Sequence, residues 1–131
     1  MRKFDREELT MFRETNLNPR GIRVGDCVIR AISTASGKSW DRVYAELAVH
    51  GFKMADMPSS NAVWASYLGS IGFKCSMLPT GYTVRRFAEE YEKGAYILCT
   101  GSHVVAVIDG DYLDTWDSGD EVPVYYFYRE G

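Results

Sequence analysis

The chain has 131 residues and a mass of 14.8 kDa, a size that predicts one domain with a single hydrophobic core. Hydrophobic residues make up 46% and charged residues 25% of the sequence, as in an average globular protein, which argues against disorder. The net charge is −3, and residues 109–131 alone carry seven acidic side chains and one basic side chain. Without a basic stripe, nucleic acid is not expected as the partner.

The compartment is predicted from three features. The N-terminal segment MRKFDREELT is charged and no apolar run follows it, so no secretory signal peptide is expected. No segment approaches the roughly 20 apolar residues of a membrane-spanning helix. The cysteines, Cys27, Cys75 and Cys99, are odd in number and cannot all pair within the chain. We therefore predict a cytoplasmic protein with free thiols and no membrane partner.

Helical periodicity dominates from about residue 18 to residue 93. Asp26 is a candidate N-cap, and apolar residues at helical spacing predict a helix from Cys27 to about Ser36. Cap residues and glycines then place a second helix from Ser39 to Gly51, a third from Ser60 to about Gly69 and a fourth from Thr83 to Tyr91, with a short strand over 73–78.

From residue 94 to about residue 128 the pattern is typical of strands. Two apolar runs predict buried strands over 95–99 and 103–108, and Asp109-Gly110 predicts a tight hairpin that leads into a strand over 112–116. A last strand is predicted over 122–128. Helices first and an antiparallel meander last predict an α+β domain in which the helices pack on a C-terminal antiparallel sheet.

Cys27 differs from the other two cysteines in its position. It lies in the first turn of a predicted helix, where unpaired N–H groups and the helix dipole favour a thiolate over a thiol. The alternative is a small buried hydrophobic residue, which is the usual role of a free cysteine. Cys75 and Cys99 lie inside apolar strand-like runs, so we interpret both as packing residues.

His103 is the second candidate for chemistry, because it opens a buried strand after a Gly-Ser turn. The other histidine, His50, lies near a helix end and suits a surface role. The strand after the hairpin carries Asp114 and Asp117, and a carboxylate beside an imidazole fixes its tautomer and stabilises its charged form. Three residues apart on a strand, the two carboxylates point to opposite faces, so at most one of them orients His103. The alternative for both is an acidic surface turn.

This chain order resembles the papain-like cysteine peptidase superfamily: a cysteine at a helix start, a histidine that leads an apolar strand, and an aspartate on the next strand. The likeness spans about residues 18–128 and depends on Gly25-Asp26-Cys27, on the segment 102–107 and on the segment 114–117. It is closest in character to the compact bacterial and phage branch that includes the bacteriocin-leader (double-glycine) peptidases. The resemblance implies one papain-like domain over residues 1–131, with a helical lobe, a sheet lobe and a cleft between them.

The implied activity is that of a thiol hydrolase acting on a peptide or amide bond of a peptide or protein substrate. Cys27 would be the nucleophile and His103 the base, with Asp117 preferred to Asp114 as the third member of the triad. No cofactor is implied. A metal site built from Cys27, His103 and Asp117 is not expected, because these residues lack paired ligand spacing. The sequence does not specify an oligomeric state.

One position departs from the pattern of the superfamily. Many members carry a glutamine six residues before the cysteine, where its side chain donates to the oxyanion, and this chain has Gly21 there. Asn18 is the candidate replacement, together with the backbone N–H of Cys27. The missing glutamine also leaves an alternative open, in which the chain is a catalytically inactive papain-like module that binds or inhibits a partner.

Overall fold

A computed structural model describes residues 11–129 of the chain, so the N-terminal segment used for the signal-peptide prediction lies outside the described residues. Within that range the predicted α+β class is confirmed: four helices accompany a six-stranded mixed sheet. The helices are α1 (Cys27–Ser36), α2 (Trp40–Met54), α3 (Asn61–Ser70) and α4 (Val84–Glu90). The strands are β1 (Phe12–Glu14), β2 (Phe73–Met77), β3 (Ala95–Cys99), β4 (Val104–Ile108), β5 (Asp111–Asp114) and β6 (Tyr125–Arg129).

The sheet is not the purely antiparallel C-terminal unit that the sequence predicts. Its strand order is β1-β5-β4-β3-β6-β2, and β1 runs parallel to β5 with Glu14 opposite Asp114. The strand of the helical half, β2, pairs with β6 at the other edge. Both halves of the chain therefore contribute strands to one sheet.

Side chains on the two faces of the sheet enter two separate hydrophobic clusters. Ile97 and Ala106 pack in the cluster that includes α1, α2 and α3, whereas Leu98 and Val107 pack in the cluster that includes α4. This alternation is the two-residue period of a strand that is buried on both sides. The sheet is therefore a middle layer with three helices on one face and the short α4 on the other.

Helix α1 is the element that positions the candidate nucleophile. It begins at Cys27 and ends at Ser36, as predicted, and Gly37 takes the left-handed conformation that closes a helix. Its buried face packs on β4 and also contacts β3 and β5. The N-terminal end of α1 therefore lies against the strands that follow His103 and carry Asp114.

The hairpin between β4 and β5 confirms the turn predicted at Asp109-Gly110. Both residues have positive φ angles, 49° and 88°, as a two-residue type I′ turn requires. The turn pairs Ile108 with Asp111 and Ala106 with Leu113. This register returns the chain so that Asp114 ends β5 close to the start of β4, where His103 lies.

Helix α2 runs past the predicted end at Gly51 and continues to Met54. Gly51 is buried, and a Cβ there would lie 2.8 Å from the backbone oxygen of Asp56 and 3.1 Å from the nitrogen of Pro58. The glycine therefore serves close packing of the following loop rather than helix termination. Ala55, with a φ of 56°, takes the left-handed position that ends the helix.

No helix within residues 11–129 is both long enough and apolar enough to cross a membrane.

We expect Gly51→Ala to destabilise the fold by about 1–3 kcal/mol, because the added methyl group meets backbone atoms that cannot move aside easily. Gly69→Ala is the matched control. Gly69 is also helical and exposed, and nothing lies within 4 Å of its Cβ position. We expect that change to be neutral or to stabilise the fold by up to about 1 kcal/mol. Urea denaturation of both variants measures the difference, and equal free energies of unfolding would contradict the packing role of Gly51.

Candidate active site

Cys27 is the first residue of α1 and its side chain is half-buried. The His103 ring, the backbone N–H of Val104 and the Arg30 guanidinium all act on its thiol. Burial by itself would raise the pKa of the thiol, but hydrogen bonding from His103 and from the Val104 N–H, with the positive charges of His103 and Arg30, lowers that pKa below its ordinary value. Cys27 is therefore more easily ionised than an ordinary cysteine.

His103 is held in place by a tight turn just before β4. Its backbone N–H donates to Thr100 Oγ1 over 3.0 Å, and its carbonyl accepts from the Thr100 N–H over 2.9 Å. On the ring, Nε2 lies 2.6 Å from Asp114 Oδ2. Because Nε2 is engaged there, Nδ1 is the nitrogen left for the Cys27 thiol.

The ring of His103 is therefore the middle member of a chain that joins Cys27 to Asp114. Burial would lower the pKa of the imidazole, but the hydrogen bonds to Asp114 and Cys27 outweigh burial and raise the pKa to about 9. A raised imidazole pKa and a lowered thiol pKa both favour transfer of the proton from sulfur to nitrogen. The arrangement supports a thiolate–imidazolium pair near neutral pH.

Asp114 is fully buried and accepts four hydrogen bonds. His103 Nε2 and the Ser118 hydroxyl meet Oδ2, at 2.6 and 2.7 Å. Arg30 Nη1 and the backbone N–H of Thr115 meet Oδ1, at 2.9 and 2.8 Å. Burial would raise the pKa of this carboxyl, but the bonds from His103, Ser118 and Arg30 lower it. Asp114 is consequently a fixed anion.

The structure does not bring Asp117, the preferred third member, to His103. Asp117 Oδ1 accepts from the Tyr112 hydroxyl over 2.5 Å and from the Gly119 N–H over 3.0 Å, and it lies 3.7 Å from Arg85 Nη2. The strand ends at Asp114, and the bend that follows directs Asp117 back to Tyr112. The structure therefore joins Asp114, the alternative third member, to His103.

Asp26 occupies the N-cap position of α1 but makes no capping bond with its side chain. Its carboxylate is buried and accepts instead from Arg30 Nε over 2.8 Å and from the indole Nε1 of Trp40 over 2.9 Å. The negative charge beside Cys27 is thus held by a cation and an indole donor. Arg30 is itself buried, so this ion pair is shielded from solvent.

Trp116 forms the exposed rim of the site. Its ring centroid lies 5.0 Å from that of His103 at an interplanar angle of 40°, and 43% of its surface is exposed. An indole in this position shields one side of the imidazole from water. The Trp116 ring therefore forms one wall of the site.

Asn18 is buried, four residues beyond the end of β1. Its Oδ1 accepts from the Arg20 N–H over 2.9 Å. Within the described part of the chain, the hydrogen bonds of Asn18 stay inside residues 16–21. Its role as an oxyanion donor stays a prediction.

The other cysteines and the second histidine lie outside this constellation. Cys99 is buried in β3, and burial raises its pKa far above the ordinary value. Cys75 is exposed on the edge strand β2 rather than packed in the core, and partial burial raises its pKa. His50 bonds Ser66 over 2.9 Å. Among residues 11–129 no cluster of three or more His, Cys, Asp or Glu side chains forms a metal site.

Two contributors to the site carry no clear signal in the sequence. Ser118 is fully buried and donates to Asp114, whereas a serine in an acidic, turn-rich segment would be predicted to lie at the surface. Arg30 lies one turn from Cys27, which suggests a link to Asp26, but nothing local reveals its second bond to Asp114. Only the packing of α1 against β5 brings that pair together.

Comparison of the chain with protein-family models, with curated proteins and with solved structures gives no match.

We expect iodoacetamide to modify Cys27 faster than Cys75 at pH 6–7, although Cys75 is the more exposed, because only the Cys27 pKa is lowered. Mass spectrometry of the two cysteine peptides measures both rates in one sample. In His103→Gln the advantage of Cys27 should disappear. Equal rates in the unsubstituted protein would show that the thiol is not activated.

The protonation of His103 gives a second test. Since its pKa is raised, the ring should stay charged until the pH approaches about 9, and ¹³Cε1-histidine NMR follows this midpoint directly. Asp114→Asn should lower the midpoint, because burial then acts without the opposing anion. Asp117→Asn, one bend away, is the matched control and should leave it in place. A midpoint that responds to Asp117 and not to Asp114 would contradict the assignment.

Proposed function

We propose that this protein is a papain-like thiol hydrolase that cleaves a peptide or other amide bond through Cys27, His103 and Asp114. The observation that carries the proposal is the 2.6 Å contact between His103 Nε2 and the buried Asp114 carboxylate, on an imidazole that also lowers the pKa of the Cys27 thiol at the start of α1. A nucleophile, a base and a group that orients the base are the components of covalent acyl transfer.

The reaction begins with a thiolate at Cys27 and an imidazolium at His103. The sulfur attacks the carbonyl carbon of the amide, and the carbonyl oxygen becomes an oxyanion. His103 then gives its proton to the amide nitrogen, the C–N bond breaks, and the amine leaves. A thioester on Cys27 is the covalent intermediate.

Water completes the cycle. His103, now neutral, takes a proton from a water molecule whose oxygen attacks the thioester carbon, and the C–S bond breaks to release the carboxylic acid. Cys27 departs as a thiolate and His103 is again an imidazolium, so the site is restored. Through both halves Asp114 accepts from Nε2 and keeps Nδ1 directed at the sulfur.

The oxyanion needs donors that are fixed before the reaction. The backbone N–H of Cys27 lies at the start of α1, where no carbonyl of the helix can accept from it, and the helix dipole favours negative charge there. The Asn18 amide is proposed as the second donor, in place of the glutamine that Gly21 cannot supply. A papain-like arrangement of helices and sheet around this site is part of the same proposal.

We expect Cys27→Ala to abolish cleavage of a mixture of fluorogenic peptide amides of 7-amino-4-methylcoumarin, because no other group can form the thioester. Asp114→Asn should lower kcat/KM by roughly 10³-fold, since the imidazole loses its orientation and its charge stabilisation. Asp117→Asn and Cys75→Ala are the controls and should cleave at close to the normal rate. Cleavage that persists in Cys27→Ala would contradict the proposal.

Gly21 supports a second candidate, a papain-like module that binds a partner without turnover, because it removes the usual oxyanion side chain. The two candidates differ in one outcome. A binding module keeps a rapidly alkylated Cys27 but cleaves no amide in the mixture, and its partner binding survives Cys27→Ala.

A further inference from the structure

Arg30 has no step in the proposed hydrolysis, although it is buried next to the reacting groups. Its guanidinium makes two bonds from different nitrogens: Nε meets Asp26 Oδ1 at 2.8 Å, and Nη1 meets Asp114 Oδ1 at 2.9 Å. Only 11% of its side chain is exposed. The bond to Asp114 joins α1 to the end of β5, residues that lie far apart in sequence.

A buried cation of this kind is costly unless its partners are well placed. Exposed i,i+4 pairs contribute little to stability, and a buried guanidinium loses its hydration, so Arg30 is poorly explained as an ordinary stabilising pair. What a planar guanidinium does supply is geometry, because two donors at fixed angles define the orientation of both acceptors. Its value therefore lies in where it holds Asp114.

Arg30 is itself held in place by Asp26, which is in turn bonded by Trp40. The Trp40 indole donates to Asp26 Oδ2 over 2.9 Å, and Asp26 Oδ1 accepts from Arg30. The relay runs from α2 through Trp40, Asp26 and Arg30 to Asp114 and ends on His103, with no bond longer than 2.9 Å. Rigid side chains from two helices thus act on one carboxylate.

We infer that Arg30 is a positioning residue: it fixes the Asp114 carboxylate so that Oδ2 meets His103 Nε2, and its cation supports the Cys27 thiolate. This inference rests on the proposed function of the site. In this inference, Asp26 and Arg30 influence the ionisation of Cys27 and His103, although neither Asp26 nor Arg30 takes part in the reaction.

The charges that face the site are few. Asp26, Cys27 and Arg30 come from α1 and its cap, His103 from the turn before β4, and Asp114 from β5. Cys99 of β3 lies in the same hydrophobic cluster.

The other charged side chains nearby in the chain are engaged elsewhere. Asp117 and Asp120 bond or face Arg85, and Lys38 of the α1–α2 connection pairs with Glu46 over 3.4 Å. Arg30 is consequently the one permanent cation that the described residues direct at Asp114.

The test is the pH profile of Cys27 alkylation in Arg30→Met, which removes the charge and both bonds but keeps a side chain of similar length. We expect the profile to move to higher pH by about one unit, so that alkylation at pH 6 is roughly tenfold slower. Arg85→Met is the matched control: it removes an arginine that bonds Asp120 and Tyr112, and its profile should match that of the unsubstituted protein.

Arg30→Lys separates position from charge. Lysine keeps the cation but lacks the fork that engages Asp26 and Asp114 together, so its profile should not return fully to that of the unsubstituted protein. Full recovery by lysine would overturn the positioning role. An unchanged profile in Arg30→Met, or an equal shift in Arg85→Met, would overturn the inference as a whole.

If Arg30→Met does not fold, the double variant Asp26→Asn/Arg30→Met is measured in the same way. It removes both charges together, so it leaves no unpaired carboxylate at position 26. An upward shift is again expected, but a smaller one, because the Asp26 anion that opposes the thiolate is removed as well, and an unchanged profile would overturn the inference. The alkylation rate reports the ionisation of the Cys27 thiol and needs no substrate. A failed Arg30 test would therefore contradict this inference alone, whereas an absence of amide cleavage would contradict the proposed function.

Discussion

The buried negative charge of Asp114 is the constraint on which the rest of the site depends. A carboxylate without solvent must be paired, and its partners come from several separate segments: Arg30 from α1, His103 from the turn before β4, and Ser118 from the following loop. Its backbone carbonyl also accepts from the Thr15 N–H just after β1. The bonds that satisfy this one charge also join these segments, so the fold and the site share the same interactions.

Local signals were enough to predict much of the fold. The bounds of α1 followed from its apolar spacing and from Gly37, and the β4–β5 hairpin followed from Asp109-Gly110. Elements that depend on distant contacts were missed or misplaced. Strand β1 has three residues, and its parallel partner lies about a hundred positions away in the sequence. Gly51 is required by the close approach of the following loop and does not end its helix. Neither constraint is visible in a window of sequence.

The same division holds for the site. Cys27 and His103 could be singled out because one lies at a helix start and the other is one of only two histidines. The sequence favoured Asp117 over Asp114, whereas the structure brings Asp114 to His103, because the outcome depends on where the strand bends and on the Tyr112 hydroxyl that engages Asp117. Spacing along a strand gives the faces of residues, but it does not give the residue at which the strand stops.

The distribution of the site along the chain has a consequence for its synthesis. Cys27 lies near the start, whereas His103 and Asp114 belong to the last quarter of the sequence. A chain made from the N-terminus exposes the cysteine long before its partners exist, and an unfolded thiol, with a pKa of about 8.5, is mostly protonated at neutral pH. The pKa of the Cys27 thiol therefore stays at its ordinary value on the ribosome and is lowered only after the chain has been made as far as β4, when His103 can reach the thiol.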